Sequence, residues 1–467
     1  MCGAVGEDGV LTGAEDLAYY GADRCRGAWR ARPQAIVLPR TAQEVEAIVG
    51  VCAHHRACIV PSGGRTGLTG AATAIADEVV VSLQRMTQIL EVDRTAKTLR
   101  CEAGATVEAV QTAAAEAGLL YPVDFGARGT AQIGGSIATN AGGVRVVRYG
   151  PTRNWVMGVE AVLADGSRLD TGRPLLKDNT GYDLKQLFVG SEGTLGIIVH
   201  ATLRLCTPPP AVVVVLCAVA DVPKVLELLT RVQASGLTLQ AFECIDAVGL
   251  SYVLASRGHG GRGPFETPSP QHALIEVEVP GRGEAAREQT VSALMDVLGE
   301  AQHDAVISDA VLANTPAQAR DLWSLREDIS ESLHPHRPHK ADVSLPLSTL
   351  PAFVHDWNVA KSEHLPDVRA AVYGHIGDGN LHINLLQPDG ADSDAFTARC
   401  EAFDEHTYAL VRDHGGSISA EHGIGLLKRD HLDYSRDATE LALMRSIKQA
   451  IDPTGMFNPG KIFEPRP

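Results

Sequence analysis

Residues 129–143 read Gly-Thr-Ala-Gln-Ile-Gly-Gly-Ser-Ile-Ala-Thr-Asn-Ala-Gly-Gly, fifteen positions filled almost entirely by small or hydroxyl-bearing side chains. Such a run has almost nothing with which to build a core. It makes sense where backbone must lie flat against a large ligand. A second loop carries Gly63, Gly64, Gly67 and Gly70 with Ser62, Thr66 and Thr69 interleaved. Without Cβ atoms in the way, several backbone N–H groups can turn toward one anion, and the hydroxyls add donors, so phosphate is the natural guest. A plain glycine turn after a strand is the alternative for this loop alone. A third segment repeats the theme with Gly190, Gly193 and Gly196. Three such loops in one domain are hard to explain by folding alone.

The Gly63–Gly67 loop lacks the nicotinamide fingerprint, and the one match to it elsewhere is a decoy. The spacing G-x-G-x-x-G occurs once, at Gly258, Gly260 and Gly263, but Pro264, Pro268 and Pro270 follow. No helix can begin there to offer its N-terminus to a pyrophosphate. The surrounding stretch, 256–270, reads as a mobile surface loop.

A chain of 467 residues exceeds one compact core, so two or three domains are expected. Strands are predicted over 35–38, 58–60 and 79–83, and a capping box of Thr41 and Glu44 opens a helix to about residue 55. The triple proline at 208–210 marks a boundary. Beyond it, strands at 212–219, 273–279, 370–373 and 381–385 alternate with helical stretches, and a last helix spans 438–451. The formal charge of -16 argues against nucleic acid or an anionic membrane surface, which need a basic face. Nine scattered cysteines read as reduced thiols in a cytoplasmic compartment. No apolar run approaches the roughly 20 residues of a membrane span, and no signal peptide is visible; an organelle matrix is the alternative location if a transit peptide has been removed.

His375 and His382 lie in Gly-His-Ile-Gly-Asp-Gly-Asn-Leu-His-Ile-Asn, residues 374–384. Two glycines and β-rich flanks argue for strand–turn–strand, which brings both imidazoles to one point. Glu421 and His422 sit in a second glycine-rich segment. Two histidines and one carboxylate suit Zn²⁺, Mn²⁺ or a similar ion and leave positions open for substrate. Asp378 is an equal candidate on spacing, and with 17 histidines a chance pair near a turn is the bland alternative.

The glycine loops resemble the FAD-binding domain of the vanillyl-alcohol oxidase/para-cresol methylhydroxylase superfamily. The histidine segments closely resemble D-2-hydroxyglutarate dehydrogenases and the related FAD-linked D-lactate dehydrogenases and glycolate oxidase subunits, from about residue 33 onward. The resemblance implies an α+β chain: an FAD-binding domain of two α+β subdomains over 1–207, an α+β substrate (cap) domain over 208–418, and a short C-terminal helical segment, 419–467, that completes the active site. It places the pyrophosphate on Ser62, Gly63, Gly64, Arg65, Thr66 and Gly67. Gly134, Gly135, Ser136, Thr139, Asn140 and Gly143 would line the cofactor, Gly193 and Ile198 its adenine side, and Asn458 would reach the flavin. Some relatives attach flavin covalently through a histidine after the Gly-Gly pair; Arg65 stands there, so non-covalent FAD is expected.

The resemblance also implies that His375, His382 and Glu421 bind a metal, with zinc expected, and that His422 is the catalytic base. Arg326, Ser330, Lys340 and Asn384 match substrate contacts. Ser330 replaces the more common threonine, and Arg326 read alone is merely one charge on an amphipathic helix. The implied chemistry is proton abstraction from the C2 hydroxyl and hydride transfer to flavin N5. Two cations favour a dicarboxylate such as D-2-hydroxyglutarate or D-malate; D-lactate and glycolate are the alternatives within the family. With no heme or iron–sulfur motif, electrons are expected to leave to an external acceptor, electron-transfer flavoprotein or a quinone, with O₂ left open. A homodimer is expected. Outside the family, the competing readings are a metal-dependent hydrolase whose glycine loops bind a nucleotide, and an inactive flavin-binding module.

Overall fold

The computed structural model describes residues 1–25, 29–257 and 263–464. The chain divides into two units. One comprises Met1–Gly143, Gly150–Pro208 and the residues from Glu421 onward; the other comprises Val144–Tyr149 and Pro209–Ala420. The division falls inside the triple proline, where fixed φ angles and missing N–H donors prevent any strand or helix from running through. The G-x-G-x-x-G residues Gly258 and Gly260, and part of the predicted loop around them, lie outside the described residues.

The first unit holds two sheets. Strands β1 (Val10–Leu11), β2 (Ala35–Val37), β3 (Ile59–Ser62) and β4 (Val79–Ser82) form one, ordered β1-β2-β4-β3. In it β2, β4 and β3 run parallel. These strands read as short apolar runs because a parallel sheet is covered on both faces. Thr41 caps the helix Ala42–His55 by accepting from the Glu44 N–H at 3.2 Å. The predicted capping box is only half made, since the Glu44 carboxylate accepts from the Arg40 N–H, one residue before the cap. The second sheet is antiparallel, with β5 (Ile89–Asp93), β6 (Thr98–Glu102), β7 (Val156–Val162), β8 (Arg168–Asp170) and β9 (Ile197–Arg204) ordered β5-β6-β9-β7-β8. The C-terminal helix Ala438–Ile451 opens with a full capping box of Asp437 and Glu440. Its Lys448 then donates to the carbonyls of Thr194 and Phe457, tying down the chain that follows.

The second unit is built on one antiparallel sheet of seven strands: β10 (Ala211–Val219), β11 (Leu239–Asp246), β12 (Gln271–Val279), β13 (Ile307–Leu312), β14 (His339–Ser344), β15 (Arg369–Gly374) and β16 (Asn380–Leu386). Their order is β13-β10-β12-β11-β15-β16-β14. On one face Val214, Leu216, Ile245, Leu274, Ala371 and Tyr373 pack with Leu322, Leu325 and Ile329 from the helices Pro316–Glu327 and Ile329–Leu333. Strand β16 alternates Asn380, His382 and Asn384 with Leu381, Ile383 and Leu385, so its polar residues share one face. That strict alternation makes the sheet into a platform.

Asp246 ends β11, caps the helix Ala247–Ser256 through the Gly249 N–H and accepts from Val372 of β15. Burial pushes its carboxyl up to about 7, against the pull of those two N–H donors. An unfolded aspartate titrates near 3.9. Its contribution to stability is therefore fully present below that value and is lost as pH rises through about 7. Asp246→Asn should flatten the fall in thermal midpoint between about pH 5 and about pH 8, an effect read by calorimetry. An unchanged slope would mean that the buried carboxyl does not titrate there.

Candidate active site

Cross-strand register in the second unit collects the predicted residues. His382 faces Asp342 across β14–β16 and Tyr373 across β15–β16. One pair further along, Asn384 faces Lys340 and Ala371. Directly opposed residues point to the same side of a sheet, so the histidine, the asparagine, the lysine and the tyrosine share one surface. His375 follows β15 at a short turn, Ile376–Asp378, giving the expected strand–turn–strand. Gly379 turns there with φ 84°, and a Cβ on it would meet the Leu345 carbonyl at 2.2 Å. The two imidazoles end edge-to-face with centroids 5.3 Å apart, and a ring nitrogen of each lies within 4.8 Å of the other's.

Each ring turns Nδ1 to a buried carboxylate. His375 Nδ1 lies 2.8 Å from Glu243 Oε1, and His382 Nδ1 lies 3.3 Å from Asp342 Oδ1. Burial holds the His382 imidazole below its ordinary range, against the pull of Asp342. Glu243 is fully buried, yet His375 and Arg326 together overcome burial and hold its carboxyl below the usual range. Arg326 donates Nε to Glu243 at 2.7 Å and stacks over Tyr373 at 4.7 Å. That arginine is 93% buried and spends only Nε on the pair; among the described residues the fork of its guanidinium makes no further hydrogen bond. Thr315 and Gln318 form a capping box with Pro316 at the first turn, which sets where this helix starts and hence where Arg326 falls. Lys340 Nζ donates to Ser330 Oγ at 3.1 Å. Asp342 also accepts from Asn380 and from the N–H of Ala420, the residue bonded to Glu421.

In the first unit the glycine loops meet one another. A Cβ on Gly63 would stand 3.5 Å from Gln132 Oε1 and 3.8 Å from Gly135 Cα, and one on Gly135 would meet nothing within 4 Å. Ser62 Oγ and Gln132 Oε1 are buried without a hydrogen-bond partner among the described residues. Buried polar atoms are rarely left so, and here they flank open glycine backbone, as a bound phosphate or ring would require. The residues present therefore fit FAD. Other glycines answer to the protein itself. A Cβ on Gly64 would strike the Thr130 carbonyl at 2.1 Å, and Gly134 packs against Ala103. Gly143 (φ 117°) and Gly193 (φ 71°) hold backbone angles that favour glycine.

Part of the 129–143 stretch is a two-turn helix, Ile133–Thr139, rather than loop throughout. Ser136 and Thr139 donate their hydroxyls back to its carbonyls, and Asn140, in the left-handed conformation, caps its end. Ile198 lies buried in β9. Arg65 stacks its guanidinium over Tyr19 and Tyr20, at 4.5 and 4.6 Å, which accounts for an arginine after the Gly-Gly pair.

Glu421 Oε2 accepts from the Gly143 N–H at 3.0 Å, and the His422 carbonyl accepts from Thr69 Oγ1. Glu192, which sequence reasoning passed over, fixes this segment. Its two oxygens accept from the N–H groups of Ile424 and Gly425, each at 2.7 Å. Its own carbonyl accepts from Asn458, and its N–H donates to Ala138. Burial pushes the Glu192 carboxyl up to about 7, with those two donors pulling the other way. Its only mark in the sequence is a charge between two glycines, Gly190 and Gly193, at a site too apolar to solvate one.

Residues 33–172 match the family described as FAD binding domain, and residues 208–462 match FAD linked oxidases, C-terminal domain. The second match alone spans more than half of the chain. The chain belongs to the FAD-linked oxidase family. Its relatives include a protein named D-2-hydroxyglutarate dehydrogenase from Stutzerimonas stutzeri (strain A1501), 42% identical over 97% of this chain and 96% of its own length. Another of that name, from Xanthomonas citri pv. viticola, is 44% identical over 97% and 94%. Among solved structures, p-cresol methylhydroxylase aligns with a TM-score of 0.79 at 17% identity, covering 99% of this chain and 95% of that one. The 4-ethylphenol oxidase of Gulosibacter chungangensis aligns at 0.77 and 17%, covering 100% and 96%. The fold is the vanillyl-alcohol oxidase/para-cresol methylhydroxylase type expected from the glycine loops. This FAD-linked oxidase has no helix, among the described residues, long and apolar enough to cross a membrane.

Proposed function

We propose that the protein oxidises D-2-hydroxyglutarate to 2-oxoglutarate with FAD and a divalent metal ion, Zn²⁺, held by His375, His382 and Glu421. The carrying observation is the pair of carboxylate-backed imidazoles: Nδ1 of each ring is turned to Glu243 or Asp342, the orientation in which a histidine coordinates an ion through Nε2. An imidazole pair that served packing alone would have no need of two buried carboxylates. The names of the relatives at 42% and 44% identity support the substrate.

When bound, FAD supplies the hydride acceptor and the ion supplies Lewis acidity toward the C2 hydroxyl. The chain's own residues do the rest. His422 takes the hydroxyl proton on a ring nitrogen. Arg326 grips a carboxylate with the free fork of its guanidinium, and Lys340 supplies a second cation for the other end of a dicarboxylate. Asn384, opposite Lys340 on the same face of the sheet, offers its amide to the substrate. Two cations at one pocket suit hydroxyglutarate better than lactate, which has a single carboxylate.

Arg326 serves the protein as well as the substrate, so its replacements should differ. Arg326→Ala leaves Glu243 buried with His375 alone, and breaking such a pair costs about 3–5 kcal/mol of stability. Arg326→Lys retains a cation beside Glu243 but loses the fork. It should raise KM for hydroxyglutarate by about 10-fold or more, as expected for a lost charge-assisted hydrogen bond, and raise that for lactate less. Equal losses on both would argue against a distal-carboxylate role. A panel of D-2-hydroxy acids with an artificial electron acceptor tests the substrate. The highest kcat/KM is expected for D-2-hydroxyglutarate, and a clear preference for D-lactate would overturn the proposal.

A further inference from the structure

We infer that Glu243 is a positioning residue that makes His375 a metal ligand, by holding its ring in the tautomer with the proton on Nδ1 and the lone pair on Nε2. The inference rests on the metal reading above. Glu243 sits in the middle of β11, and the pairing of Cys244 with Gly374 brings it opposite His375. Its oxygens lie 2.8 and 2.9 Å from His375 Nδ1, and Oε2 also accepts from Arg326 Nε at 2.7 Å. The arginine cannot stop donating, because a guanidinium has no acceptor. An ionised carboxylate between an arginine and an imidazole can only accept, so the imidazole must donate from Nδ1.

A glutamine in its place keeps one oxygen, which would stay on Arg326, but puts an NH₂ where Oε1 stands 2.8 Å from His375 Nδ1. The ring could then satisfy that NH₂ only by accepting, which moves its proton to Nε2 and blocks coordination. Glu243 is thus a group that both the proposed metal ligand and the proposed carboxylate anchor require in its ionised form. His382 has a looser arrangement, because Asp342 lies 3.3 Å from its Nδ1 and shares its oxygens with Asn380 and Ala420.

The test uses the full-length FAD-loaded protein, stripped of metal with a chelator and titrated with Zn²⁺ against a chromophoric competitor, without substrate. Glu243→Gln should bind Zn²⁺ about 10–100-fold more weakly than wild type, with flavin content and circular dichroism unchanged. Arg326→Lys should leave Zn²⁺ affinity near that of wild type. Equal affinity in Glu243→Gln and wild type would overturn the inference alone, whereas a wild-type protein that binds no Zn²⁺ would overturn the metal reading and the inference with it. Should Glu243→Gln not fold, ¹⁵N-histidine spectra of metal-free wild type decide: the ring signals absent from His375→Gln are expected to be those of the Nδ1-protonated tautomer. The Nε2-protonated tautomer would refute the assignment.

Discussion

Replacing His422 by asparagine is expected to lower kcat for D-2-hydroxyglutarate by about 10²–10⁴-fold, the usual contribution of a positioned general base and the role proposed for it, with flavin and metal content retained. Its surroundings explain why so local a change should have so narrow an effect. The backbone at 421–425 is held by groups that the substitution does not touch: Thr69 on the His422 carbonyl, Gly143 on the Glu421 carboxylate, and Glu192 on the N–H groups of Ile424 and Gly425. An asparagine in that frame keeps a polar side chain but cannot take a proton at neutral pH. Single-turnover flavin reduction reads the step directly. A variant that reduces its flavin within a few fold of the wild-type rate would remove His422 from the reaction.

His382→Ala has the second large expected effect. Metal content should fall to background and turnover should drop by on the order of 10³-fold, since the proposed ion would supply several kcal/mol of Lewis-acid polarisation to the step. Folding should survive. Asp342, the carboxylate behind His382, retains donors in Asn380 and the Ala420 N–H, so no buried charge is stranded. FAD should stay bound, since Ser62, Gly63, Gln132 and Gly135 belong to the other unit. Elemental analysis of the purified variant, paired with its visible spectrum, separates metal loss from flavin loss. A variant with wild-type metal content would mean that His382 is not a ligand.

Much of this was legible in the sequence because it is local. Strand β16 declares its polar face by simple alternation, Asn380, His382, Asn384, and the glycines around His375 announce the turn before it. The last helix was read with its observed bounds, Ala438–Ile451. The glycine segment 129–143 was read less well. Part of its smallness serves a short helix packed on Ala103, and sequence cannot separate glycines that admit a ligand from glycines that admit a neighbour. Glu243 and Glu192 were missed for a different reason. Their partners lie 132 and 232 residues away, so only pairing register and loop packing bring them together. A signal existed: each is a carboxylate in a segment otherwise apolar or small, and a charge in such a place needs a partner. Arg65 shows the same limit, its role resting on Tyr19 and Tyr20, some 45 residues earlier.

The most direct measurement follows the flavin's visible absorption anaerobically as D-2-hydroxyglutarate is added to two samples, one metal-loaded and one stripped by chelator. The metal-loaded protein should bleach promptly, and the stripped protein should bleach far more slowly until Zn²⁺ is restored. Prompt bleaching in both samples, or none in the metal-loaded one, would contradict a metal-dependent D-2-hydroxyglutarate dehydrogenase.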